Sequence, residues 1–185
     1  MTPAEAVADL RRSIAAMRPV DARHKVSIAE FLAALDRLPH PLDEHADATH
    51  VTASAVVVGL RGTLLHRHKR LGLWLQPGGH VAPGEAPSDA AIRETVEETG
   101  LQPLPWPGAP PLVHVDVHPG GRGHRHLDLR YLLFAGKDDP SPPADESQDV
   151  RWFGWDEAIA IADPGLSGAL RHLSAGALGT GDAGN

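Results

Sequence analysis

Glu94, Glu97 and Glu98 stand at i, i+3 and i+4 in a stretch that reads as a helix, so three carboxylates share one face. Like charges held that close repel unless a cation sits among them. Only oxygen donors are on offer, which suits a hard divalent ion such as magnesium. Alone, the triple is better read as a solvated acidic helix face. The upstream residues decide against that. Gln76-Pro77-Gly78-Gly79 follows the apolar run Leu73-Trp74-Leu75, a strand entering a turn whose glycines let backbone approach a ligand. Such carboxylates suit water attack on a diphosphate phosphorus, which needs a cation on the phosphate oxygens, a polarised water and a base for its proton.

From Gly79 the chain reads GHVAPGEAPSDAAIRETVEETGL, with Gly79, Glu85, Arg93-Glu94, Glu97-Glu98 and Gly100-Leu101 at fixed offsets. The pattern resembles the Nudix box, and chance would produce it with odds on the order of one in a million, which sets coincidence aside. The resemblance covers residues 50–173 and implies an α/β/α sandwich around a central mixed β-sheet. It also implies hydrolysis of a diphosphate bond with Mg2+, or Mn2+ in its place. By resemblance the Gly78 carbonyl completes the metal site, Glu97 and Glu98 are ligands, and Glu94 is a ligand or the base. Arg93 pairs with Glu85 and holds the loop to the helix. Nudix proteins often set one more acidic residue near the metals, for which Glu146 is the candidate and Asp149 the runner-up, against a plain solvated loop. Thr95 replaces the more common aliphatic residue and is expected to pack through its methyl.

The substrate reading leans to a nucleoside triphosphate or a nucleoside diphosphate derivative. The coenzyme A signature is not reproduced, the only tyrosine is Tyr131, and Pro119 is out of register with the proline of ADP-ribose hydrolases. ADP-ribose or a nucleotide sugar is the alternative. A non-catalytic nucleotide sensor is the rival of another class, disfavoured because every box carboxylate is present and residues 1–49 lack a basic recognition helix. Isopentenyl diphosphate isomerases share the fold but use a cysteine, and the chain has none.

The box helix is expected from Pro87 to Thr99, with Gly100 just past its end and Ile92, Val96 and Thr99 packing on a sheet. Strands are expected over 50–58, 63–70, 112–118, 124–135 and 150–153. The strand over 63–70 ends in His66-Arg67-His68-Lys69-Arg70, where Arg67, Lys69 and Arg70 suit substrate phosphates or plain surface charge. His80, directly after the glycines, suits a phosphate contact or an exposed loop position. Strand alternation sets His114, Asp116 and His118 on one face, and His124, His126 and Asp128 on one face of the next strand. Those patterns admit an extra transition-metal site, but a polar face bordering the substrate cleft is preferred, led by His126 and Asp128.

Before residue 50 a helical extension is expected, with Ala6, Leu10, Ile14 and Met17 along one helix and a second over 27–38. It packs on its own core or forms a homodimer contact. Two helices close the chain to about Ser174, and 174–185 reads as a disordered tail. With 185 residues and net charge −7, the chain suits one domain with appendages and a free nucleotide rather than a nucleic-acid polymer. No apolar leader or 18-residue apolar run is present, so a cytoplasmic protein without membrane contact is expected.

Overall fold

A capping box opens the first helix: the Thr2 hydroxyl accepts the Glu5 N–H, and the Glu5 carboxylate accepts the Thr2 N–H at 2.7 Å. The computed structural model describes residues 2–179. After α1 (Pro3–Ala15), α2 (Ala22–Arg37) begins at Ala22 rather than Ser27, because Asp21 accepts the His24 N–H at 2.7 Å and caps it. Then come β1 (Thr49–Gly59), β2 (Gly62–Arg67), β3 (Trp74–Leu75), β4 (Gly78–His80), α3 (Pro87–Thr99), β5 (Leu112–Pro119), β6 (Arg125–Phe134), β7 (Val150–Phe153), α4 (Trp155–Ile161) and α5 (Pro164–Gly179). The second strand stops at Arg67, so Lys69 and Arg70 lie in the following turn. α5 continues to Gly179, so residues 175–179 are helical, and 180–185 of the expected tail lie outside the described residues.

The sheet is mixed. Its path runs β3-β2-β1-β6-β5, with β4 paired to β1 and β7 to β2. β1 and β6 are parallel, with His50 opposite His126 and Thr52 opposite Asp128; the other pairings are antiparallel. Alternation along β1 sends Val51, Ala53, Ala55 and Val57 into the core with Ala90 and Ala91 of α3. Val56 packs on the other face with Leu65, Phe153, Leu166 and Leu170, under α4 and α5.

The inward stripe of α3 is Ser88, Ala91, Thr95 and Thr99; Ile92, partly buried, packs against the same core as expected, while Val96 stays at its edge, which corrects its place on the expected face. Thr95 is tolerated because its hydroxyl donates to the Ala91 carbonyl at 2.7 Å. Gly100, at φ 71°, ends the helix in the left-handed conformation that glycine takes without strain.

The extension packs on the core. Leu10, Ile14, Phe31 and Leu35 join the cluster beneath α3, and Arg11 donates to Asp36 at 2.7 Å across the helix pair. α2 runs along β5, the last strand on its side of the sheet. The Ser27 hydroxyl accepts the outward Val117 N–H at 3.3 Å, and His24 Nε2 lies 3.4 Å from Val115 N. His24 Nδ1 lies 3.2 Å from Val20 N, and a neutral imidazole accepts at only one nitrogen, so it serves one of those amides at a time.

Candidate active site

The strand-turn of β4 meets the acidic face of α3. The Gly78 N–H donates to Glu98 Oε2 at 2.9 Å. A Cβ on Gly79 would stand 2.4 Å from Glu94 Oε1, so only glycine lets that carboxylate lie against the turn. The Glu98 side chain is 17% exposed, and burial, together with Glu94, Glu146 and Glu97, raises its acid to about 8 despite the Gly78 hydrogen bond. Burial also raises Glu94, against the pull of Arg93. Glu97 points outward at 54% exposure.

Arg93 ties the cluster together. Its Nε and Nη2 donate to the Glu85 carboxylate at 2.9 and 3.0 Å, and Nη2 also donates to the His80 carbonyl at 2.9 Å. Nη1 donates to Glu94 at 2.7 Å and Glu97 at 2.9 Å. One guanidinium therefore fixes the 80–85 loop, the helix and two of its carboxylates. The donor set fits a hard divalent cation: oxygens only, two carboxylates held half-buried beyond the compensation of one arginine, and a turn with no Cβ between them.

The structure brings some expected residues to this centre and leaves others at its border. Glu146 is close enough for its charge to raise Glu98. Lys69 donates to the Asp145 carbonyl, pinning the loop that carries Glu146, while Arg67 bonds the Gly72 carbonyl at 3.3 Å and pairs with Asp149 at 3.9 Å. Arg70 is exposed beside them. The sequence reading missed His66, which is buried with Nε2 3.7 Å from Glu98 Oε2; burial, then His68, lowers its pKa to about 4, so it stands there neutral. Its place at the inward position of β2 was the available signal.

Asp128 lies beneath the turn. It is 3% exposed and accepts from Thr52, Ser54, Gln76 and Arg130 at 3.2, 2.8, 3.2 and 3.1 Å. Ser54 in turn backs Gly78, whose Cβ would fall 2.3 Å from that of Ser54. Buried Arg130 also reaches Asp116 at 3.5 Å. Burial would raise the Asp116 acid, but His118, Arg130 and Arg23 outweigh it and hold it well below the carboxylate range. Arg23 binds it at 3.0 and 3.1 Å, so α2 covers Asp116 and the neighbouring His114. That half of the polar strand face is interior, not the border of a cleft.

A cleft of about 1640 Å³ opens between the extension and the box loop, with Val7, Arg11, Leu42, Glu44, His80 and Glu94 among its walls. His80 Nδ1 lies 3.1 Å from Glu44 Oε2. His126 lies among imidazoles, its ring 5.3 Å from that of His50 and 5.6 Å from that of His80.

Comparison with known proteins gives a consistent result. A family model described as the NUDIX domain matches residues 48–173. A bis(5'-nucleosyl)-tetraphosphatase (asymmetrical) of Caenorhabditis elegans is 33% identical over 107 residues, 55% of this chain and 74% of that protein. A putative 8-oxo-dGTP diphosphatase of Bacillus subtilis is 54% identical over 37 residues, 20% of this chain and 25% of that protein. Among solved structures, an Ap4A hydrolase binary complex of C. elegans superimposes with TM-score 0.58 at 27% identity, covering 70% of this chain and 98% of that one. A NUDIX-family hydrolase of Clostridium perfringens gives TM-score 0.56 at 27% identity, covering 67% and 97%.

Proposed function

The chain belongs to the Nudix family and is a Nudix diphosphate hydrolase, and from that premise we propose that it splits a diphosphate bond of a nucleoside polyphosphate by attack of water on phosphorus. The substrate class is a nucleoside triphosphate or a nucleoside diphosphate derivative, dinucleoside polyphosphates included. The observation that carries the reading is the closure of Glu98 on the Gly78 N–H, with Glu94 lying in the space that Gly79 leaves open.

Gly78, Glu94, Glu97 and Glu98 would hold the cation, with Glu146 beside them. Magnesium, or manganese in its place, supplies neutralisation of the phosphate oxygens and polarises the attacking water. Where Glu94 is not taken up as a ligand, it would accept the proton of that water; burial raises its acid against the pull of Arg93, which makes it a stronger base. Arg93 keeps Glu85, Glu94 and Glu97 in register. Lys69 and Arg67 hold the rim loops, and Arg70 offers positive charge beside them to outlying phosphates. The names of the two relatives, a tetraphosphatase of bis-nucleosyl compounds and a putative 8-oxo-dGTP diphosphatase, support a nucleoside carrying a phosphate chain.

The test is phosphate and pyrophosphate release, with magnesium and with manganese, over nucleoside triphosphates, dinucleoside polyphosphates, ADP-ribose and nucleotide sugars, using Glu98→Gln as the blank. Metal-dependent release from one nucleoside polyphosphate class, absent in the variant, is expected. Turnover confined to ADP-ribose or nucleotide sugars overturns the substrate class, and ligand-induced stabilisation without turnover of any compound overturns hydrolysis.

A further inference from the structure

Away from the carboxylate face, three places in the sheet bring imidazoles together and a fourth adds a carboxylate. His50 lies near the start of β1, His80 ends β4, His124 stands just before β6 and His126 near its start, and Glu44 comes from the connection after α2. The ligand atoms of His50, His124 and His126 lie within 4.8 Å of one another, as do those of Glu44, His50 and His80. Ring centroids of His50 stand 5.1 Å from those of His80 and His124.

The tautomers of two rings are fixed. His50 Nδ1 lies 3.1 Å from the Asp47 carbonyl, which can only accept, so Nδ1 carries the proton and Nε2 a lone pair. His50 is 0% exposed, and its Nε2 is buried with no hydrogen-bond partner. His80 repeats the arrangement: Nδ1 faces the Glu44 carboxylate at 3.1 Å, and Nε2 is buried without a partner. A neutral imidazole whose far nitrogen is pinned by a carbonyl or carboxylate is the form that binds transition metals.

We propose that His50, His124 and His126 form a transition-metal site of the zinc class, with His80, steered by Glu44, as the fourth ligand. Nitrogen donors separate this site from the all-oxygen face of α3, so magnesium in excess does not compete for it. An ion there ties β1, the hairpin and the connection after α2 to His80, next to the Gly79 turn of the active site.

The probe is Zn2+ itself, titrated calorimetrically into the full chain in millimolar magnesium, with Co2+ as a spectroscopic reporter. One zinc per chain is expected, with the visible bands of four-coordinate nitrogen-bound Co2+ and a raised Tm. His124 is partly exposed, so H124Q keeps the fold, as its unchanged metal-free Tm would establish; it should weaken zinc binding by roughly 10–100-fold, with H126Q alike. Glu98→Gln should leave zinc affinity unchanged. Absence of zinc binding, equal affinity in H124Q and H126Q, or loss of binding on adding magnesium or in Glu98→Gln overturns the site, the last two by assigning the zinc to the box carboxylates.

Discussion

His24 of α2 lies flat on His114 of β5, with 3.9 Å between ring centroids and 22° between planes. Burial lowers both pKa values, His114 to about 2, with Arg130 contributing to each. Between the unfolded value of about 6.5 and the folded ones, the unfolded chain binds more protons, so the stability these rings contribute is present above pH 6.5 and lost as pH falls. Denaturant unfolding from pH 7.5 to 4.5 should show that loss, at up to roughly 1.4 kcal/mol per unit for each fully coupled ring. His114→Gln should flatten the slope; an unchanged slope would place the acid sensitivity elsewhere.

Glu98→Gln should abolish turnover yet stabilise the cation-free protein. Its folded pKa of about 8 lies above the unfolded value of 4.5, so ionisation costs stability as pH rises through that interval, and the amide removes the cost. Melting at pH 8 with chelator and again with magnesium tests both halves. A variant that is less stable than the parent under chelation contradicts the assignment.

Gly79→Ala introduces a methyl 2.4 Å from Glu94 Oε1. The carboxylate must swing away, and kcat should fall about 100-fold or more, since small misplacements in a reacting site cost that much. Far-ultraviolet dichroism should stay unchanged. Near-normal kcat would mean Glu94 has no fixed task there.

Ile14 is 0% exposed although it belongs to the extension. Ile14→Ala should cost about 2–5 kcal/mol and lower Tm by roughly 6–15 °C. A melting curve that does not move would show α1 to be dispensable to the core.

What could be read from residues alone followed the range over which the information acts. The offsets among Glu94, Glu97 and Glu98 are short and helical, so their common face was visible in advance, whereas the pairing of Arg93 with Glu85, which precedes the helix, came only from the resemblance. Alternation likewise put His126 and Asp128 on one face of a strand. The partner of that strand was not visible. His50 and His126 lie opposite each other through a parallel pairing between segments 76 positions apart (126 − 50), and no local pattern names a parallel neighbour. For the same reason the cover of α2 over His114 and Asp116 was missed, and a face expected at a cleft proved interior. Val96 was misplaced because its hydrophobicity outweighed, on paper, the smaller residues that let α3 sit close to β1.

The seal that Ser27 and His24 place on Val117 and Val115 has a consequence for crowded solution. A bare rim of amides invites any extended polypeptide to knit itself on, and identical molecules can then grow into filaments. Here a helix of the same chain acts as a bolt across that rim. Two copies must lever α2 off before β5 can stitch to β5, so loosening α2 is the step that would turn this protein sticky.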